Sequence, residues 1–248
     1  MNDAETHVGR PIAAPAGRGA AWLFEGFTLF QKNWAAWIGV TIILVVVTLA
    51  VSIIPLGSIL FNLIVFAFMG GLMLGCREAY EGGDFDVGHL FAGFSENFGQ
   101  YVLLGVIYSL GVLVIVILTL IPMIFMLGGM GFFADFQSGQ VDKLLPYMAT
   151  ILVVVLIALL LYLPLIMAFW FAPALVALGN LTAVEAIKKS FAGCMVNVIS
   201  YLVYGLVGLV LSLLATIPFL LGWLILCPMI VTSIYLSYRD IFESGPDS

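Results

Sequence analysis

Six times along the chain, an apolar run of about twenty residues passes without one acidic or basic side chain. That is the length an α-helix needs to cross the hydrocarbon core of a bilayer. The runs are Trp34–Ile54, Leu56–Cys76, Tyr101–Ile121, Tyr147–Leu178, Tyr201–Ile217 and Phe219–Tyr238. Hydrophobic residues make up 63% of the sequence and charged residues 9%, against roughly 45–50% and 25% in soluble domains. A water-soluble fold of this size could not bury so much apolar surface. The expected fold is therefore all-α and polytopic, with six transmembrane helices. Tight turns at Pro55-Leu56-Gly57 and at Pro218 pair them into hairpins. A longer loop, Pro122 to Pro146, separates the third and fourth and carries Asp135, Asp142 and Lys143.

Orientation follows from the basic residues. Arg10, Arg18, Lys32, Arg77, Lys188, Lys189 and Arg239 fall on the side of the termini, and Lys143 falls opposite. The positive-inside rule then predicts cytoplasmic N and C termini in a bacterial inner membrane. The overall charge of −6 carries less information than this distribution. Trp34, Trp37, Tyr80, Tyr101, Tyr201 and Tyr238 read as aromatic anchors at the inner boundary, with Tyr147 and Trp223 at the outer. Residues 1–19 are polar and rich in Ala, Gly and Pro, and read as a disordered cytoplasmic tail. Residues 20–242 form a single membrane domain, and 243–248 form a short cytoplasmic tail. The fourth run is too long for a straight crossing. It contains Pro164 and Pro173, which predict a kink or break at one of them.

An internal repeat is visible. Leu23, Phe24, Gly26 and Phe27 match Leu90, Phe91, Gly93 and Phe94; Phe91, Ala92, Gly93, Asn97, Tyr101 and Gly105 match Phe191, Ala192, Gly193, Asn197, Tyr201 and Gly205. The exits correspond too, Arg77-Glu78 with Arg239-Asp240. The repeats run over about 20–81, 86–181 and 182–242. Each begins with an amphipathic segment, expected as a cytoplasmic interfacial helix preceding a hairpin. The apolar stripes are Leu23, Phe27, Phe30 and Trp34 in the first, Phe91, Phe94, Phe98 and Tyr101 in the second, and Val184, Ile187, Phe191 and Met195 in the third. Thr182-x-x-Glu185 reads as a capping box at the start of the third.

Chemistry-bearing residues are sparse. None of the apolar runs holds an ionisable residue in its body, where ion pathways and proton relays place them. Cys76, Cys194, Cys227, His7 and His89 have no zinc or redox spacing. The acidic stretch Glu78, Glu81, Asp84 and Asp86 surrounds Gly82-Gly83 without companion ligands. No nucleophile set, phosphate loop or zinc-protease signature is present, so neither enzyme activity nor a cofactor or metal is expected. Eight scattered basic residues form no nucleic-acid surface. The candidate contacts for a ligand or lipid are six: Asn62, the polar residue within the second run; Arg77 and Glu78 at its exit; Pro173 at the expected kink; and Lys188-Lys189, a pair suited to an anionic headgroup. Membrane lipids are the expected partners, with a membrane protein as a further one.

The stretch Phe171-Ala172-Pro173-Ala174-Leu175-Val176, followed by Ala186-x-Lys188-x-Ser190-Phe191, resembles an uncharacterised proteobacterial family of six-helix inner-membrane proteins. Gly19-Ala20-Ala21-Trp22-Leu23-x-x-Gly26-Phe27 and Tyr235-x-Ser237-Tyr238-Arg239-Asp240-Ile241-Phe242 carry the same likeness. A more distant similarity is to the membrane domain of glycerophosphoryl diester phosphodiesterases, whose catalytic domain this sequence does not contain. The resemblance implies the six-helix fold and no reaction. The functional expectation is a non-catalytic organiser of membrane partners or lipids. The alternative is a facilitative transporter or channel for a small or lipid-like solute.

Overall fold

The computed structural model describes residues 8–95, 97–129, 131–139 and 141–243. The expected tails at 1–7 and 244–248, Glu96, and the side chains of Asp142 and Lys143 lie outside what is described. Every regular element among the described residues is helical. In chain order these are α1 (Arg18–Lys32), α2 (Trp34–Ile53), α3 (Gly57–Glu81), α4 (His89–Ala92), α5 (Phe98–Gly129), α6 (Phe132–Ser138), α7 (Val141–Trp170), α8 (Ala172–Gly179), α9 (Ala183–Val196), α10 (Val198–Thr216) and α11 (Trp223–Tyr238), closed by a π-helical turn Arg239–Glu243. Six stretches are long and apolar enough to cross a membrane: Trp34–Ile53, Gly57–Glu81, Phe98–Gly128, Tyr147–Gly179, Val198–Thr216 and Trp223–Glu243. The second and sixth run further toward the termini side than hydropathy suggests, because Arg77, Glu78 and Arg239 continue their helices rather than ending them.

The chain divides into two compact units, residues 1–106 with 167–248, and residues 107–166. In the larger unit the core is made by the termini-side portions of α3 and α11 together with α8. Ala67, Leu72, Met73, Cys76 and Ala79 of α3, Ala172 to Val176 of α8, and Thr232 to Tyr238 of α11 are buried. Away from this core, the residues Ile42 to Leu60 that are large and apolar are mostly exposed, as are Leu206 to Leu221. In a bilayer such side chains meet acyl chains, so exposure there carries no hydrophobic penalty.

The segments α1, α4 and α9 wrap this core, and glycine sets how closely they approach. A Cβ on Gly26 would lie 2.9 Å from Met229 O and from Ser233 N on α11. A Cβ on Gly93 would collide with Ala67 O and stand 3.0 Å from Gly71 N on α3. Ala67 and Gly71 stand to Met229 and Ser233 at one offset, 162 residues, which is also the offset between Arg77-Glu78 and Arg239-Asp240. Two repeat-equivalent glycines thus dock on repeat-equivalent stretches. Since α1 packs on α11, the first repeat closes onto the last.

Three local expectations are corrected, and the break expected in the fourth span is located. First, Pro122 does not end the third span: α5 continues through it to Gly129, and α6 and α7 occupy most of the expected loop. Hydroxyl-to-backbone bonds such as Thr119 Oγ1 to Ile115 O, 2.7 Å, are the kind that accommodate proline in membrane helices. Second, α7 runs unbroken through Pro164 to Trp170, and the break falls at Phe171, placing Pro173 in the first turn of α8. The Ser190 hydroxyl explains the site: it accepts from Phe171 N–H at 2.9 Å and donates to Met167 O at 2.8 Å, inserting itself into the helical ladder. Third, residues 8–17 are not loose. Gly9 N–H donates to Phe242 O and Ile12 N–H to Ile241 O. Asn197 accepts from Ala14 N–H and donates to Ile12 O. Fourth, Trp37, Tyr101 and Tyr238 are 1% exposed and belong to the core; Trp37 stacks on Phe85 at 3.9 Å. Trp34, 59% exposed, and Tyr80 keep positions suited to an interface.

The amphipathic segments differ from their expected form. α4 is a single turn. On α9 the buried residues are Ala183, Ala186, Ser190, Gly193 and Cys194, whereas Val184, Phe191 and Met195 of the expected stripe are exposed. Small residues face the protein, and the large apolar ones stand free beside a charged face.

Candidate functional site

The polar residues gather at the termini-side rim of the larger unit, where helix ends bring them together. α3 carries Arg77 and Glu78 on its last turns, the π-helical turn carries Arg239, Asp240 and Glu243, and α1 carries Arg18, Glu25 and Lys32. Arg18 bridges Glu25 Oε1 at 2.7 Å and Asp240 Oδ2, and Trp22 Nε1 donates to the same Asp240 oxygen at 2.8 Å. The bond to Glu25, reinforced by Asp240, raises the Arg18 pKa against the opposing effect of burial. This knot ties the start of the first repeat to the end of the last. It is half-exposed, so its contribution to stability is of the order of 1 kcal/mol or less.

Arg77 donates to Leu178 O at 3.1 Å and lies 4.0 Å from Glu243. Arg239 pairs with Glu243 at 3.3 Å and sits 3.8 Å over the Tyr80 ring. Glu78 reaches His89 Nε2 at 2.8 Å, and Asp86 lies 3.4 Å from His89 Nδ1. Among the described residues, no group of three His, Cys, Asp or Glu is arranged to hold a metal ion. Lys189 donates to Val8 O at 2.6 Å, and partial burial lowers its pKa against the pull of Glu185. Lys188 is exposed. Thr182 caps α9 reciprocally with Glu185, and the Thr182 hydroxyl holds the Glu185 carboxyl below its ordinary pKa. Burial pushes the Cys194 thiol up to about 12, so it is a packing residue rather than a nucleophile.

The six candidate contacts are therefore dispersed. Arg77 and Glu78 share α3 but engage different neighbours; Pro173 is buried in α8; Lys188 and Lys189 lie on α9; Asn62 is exposed on α3. Two residues missed by sequence reasoning matter more locally: Ser190, which occupies a position filled by leucine in the other repeats, and Tyr80, the platform for Arg239. The sequence signals for Ser190 are that break in the repeat and its place in the stretch Ala186-x-Lys188-x-Ser190-Phe191.

Three grooves complete the picture. One of about 220 Å³ is lined by Glu25, Thr28, Leu29, Lys32, Tyr80 and Leu236. A second, of about 280 Å³, lies between α2, α3 and α11 and is apolar. The third, of about 340 Å³, lies in the smaller unit around Thr119, Pro122 and Thr150. Asn62 lines none of them. Also in the smaller unit, the hydroxyls of Tyr108 and Tyr162 are joined at 2.6 Å.

Comparison with known proteins adds one relative. A "Probable inner membrane protein" of Burkholderia thailandensis is 28% identical over 262 aligned positions, covering 93% of each chain. The chain is a multi-pass inner membrane protein. The likeness spans both proteins almost end to end rather than a single motif. No protein-family model matches the chain, and no solved structure matches it at a significant level. Neither comparison brings out a glycerophosphoryl diester phosphodiesterase.

Proposed function

We propose that this protein is a non-catalytic organiser of the inner membrane, with both termini cytoplasmic and the outer face of α9 as its contact surface. The observation that carries this reading is the division of labour among the polar residues. Arg18, Arg77, Arg239, Glu78 and Lys189 are committed to bonds that hold the rim together. Lys188 is exposed next to the free apolar side chains Val184, Phe191 and Met195. A basic residue beside exposed apolar ones on a capped helix suits an anionic lipid surface or a membrane-protein partner. The excess of Lys and Arg on the termini side supports the cytoplasmic orientation. The transport alternative would place a solute path near Asn62, which lines none of the three grooves described above.

A photo-crosslinking amino acid at position 191, expressed in native membranes, tests the reading. The expected result is a discrete adduct with one protein or lipid species, absent when the probe is at Leu206 on α10. Adducts of equal yield and composition at both positions would overturn it.

A further inference from the structure

Two of the grooves are walled by the same three stretches of chain. Glu25, Thr28 and Lys32 of α1, Tyr80 of α3 and Leu236 of α11 line the first. Trp37, Thr41 and Val45 of α2, Leu72 of α3 and Val231 of α11 line the second. Along each wall the polar groove is the nearer to the termini side. Lys32 precedes Trp37 with only Asn33 interrupting the helices, Tyr80 follows Leu72 by about 12 Å of helix, and Leu236 follows Val231 by about 7.5 Å. The apolar groove begins near the start of the first apolar span at Trp34, and Tyr80 and Leu236 of the polar groove lie toward the termini-side ends of the second and sixth spans. The two grooves follow one another along these walls as a cleft in two parts, a polar mouth toward the termini side and an apolar body beyond it.

The charges at the mouth are unequal in their commitments. Glu25 is held by Arg18, and Arg239 stacks on Tyr80 while pairing with Glu243. Lys32 is exposed, has a backbone carbonyl, Ala79 O at 3.3 Å, as its bonding partner, and pairs with no carboxylate among the described residues. In the apolar body, Trp37 is 1% exposed, and its Nε1–H has no acceptor. We infer that this cleft is a binding site for one anionic glycerophospholipid, its phosphodiester on Lys32 and an acyl chain along α2 and α11. An apolar chain fits the body, and an anionic oxygen answers Lys32, a basic group at the mouth that pairs with no carboxylate among the described residues. This site is separate from the α9 face, so its failure would leave the crosslinking result at position 191 untouched.

The test is native mass spectrometry of the full chain, delipidated in detergent and then offered dioleoyl phosphatidylglycerol, dioleoylglycerol or inorganic phosphate in turn. The wild type is expected to retain one phosphatidylglycerol and neither of the other two. Lys32→Gln is expected to weaken that retention about fivefold, the effect of one basic group at a membrane surface, with Lys32→Arg restoring it. Val45→Trp, which fills the body, is expected to abolish it. Arg10→Gln and Leu206→Trp, elsewhere on the surface, are expected to bind as the wild type does. All variants are first shown to keep the wild-type elution volume and melting midpoint. Equal loss in the two controls, retention of dioleoylglycerol or of phosphate alone, or undiminished binding by Lys32→Gln and Val45→Trp would each overturn the assignment.

Discussion

Ser190 shows how one hydroxyl decides the course of a helix. A leucine at the equivalent places, Leu23 and Leu90, is fully buried apolar packing. The serine is equally buried but fills the gap between Phe171 N–H and Met167 O. Removing it strands a buried donor and acceptor, which costs about 1–3 kcal/mol. Ser190→Ala is therefore expected to lower the melting midpoint of the detergent-solubilised protein, with Ser190→Thr partly restoring it. An unchanged midpoint would mean that the two backbone groups close on each other unaided. Pro173 was the legible half of this feature: the sequence gives a proline in an overlong span and hence a break near it. Its location at Phe171 depended on Ser190, a partner on another helix, which local spacing does not display. Pro122 went the same way, because helix continuation through a proline depends on how neighbouring groups satisfy the freed carbonyl.

At the scale of elements, α9 was the most readable surface helix because its start is written locally. Thr182 and Glu185 cap it as the motif implies. The folded Glu185 carboxyl titrates below its ordinary value of 4.5. Its contribution to stability is then fully present above that pH and is lost as pH falls through the lower, folded value. Thr182→Ala is expected to melt earlier than the wild type at pH 7, with the difference shrinking toward pH 3; a gap that does not change with pH would show that the charge plays no part. The packing face of α9 was not readable. Apolar spacing selected Val184, Phe191 and Met195, whereas the structure buries Ala186, Ser190 and Gly193. In a membrane protein, large apolar residues can face lipid without cost, so closeness of approach, and with it small residues, marks the protein-facing side. α1 differs: Gly19 and Gly26 are buried, but so are Trp22, Leu29 and, from its apolar stripe, Leu23 and Phe30, while Trp34 beyond it is exposed.

For the whole molecule, the apolar runs, their number and the repeat were plain in the sequence, because bilayer thickness fixes span length and a repeat needs no tertiary context to be seen. What was hidden was closure. Arg18 meets Asp240 across 222 positions, residues 8–17 bind the helix ends of the last repeat, and Gly26 seats on α11 as Gly93 seats on α3. These contacts gather the charged residues at one end of the larger unit, and the functional account depends on that end facing the cytoplasm. The most direct test is thiol accessibility. In a variant lacking the native cysteines, a single cysteine replaces Lys188 or Ser138, and intact cells are treated with a membrane-impermeant maleimide. The account predicts that Ser138→Cys is labelled in intact cells and Lys188→Cys only after the membrane is permeabilised. Labelling of Lys188→Cys in intact cells, with Ser138→Cys protected, would contradict it.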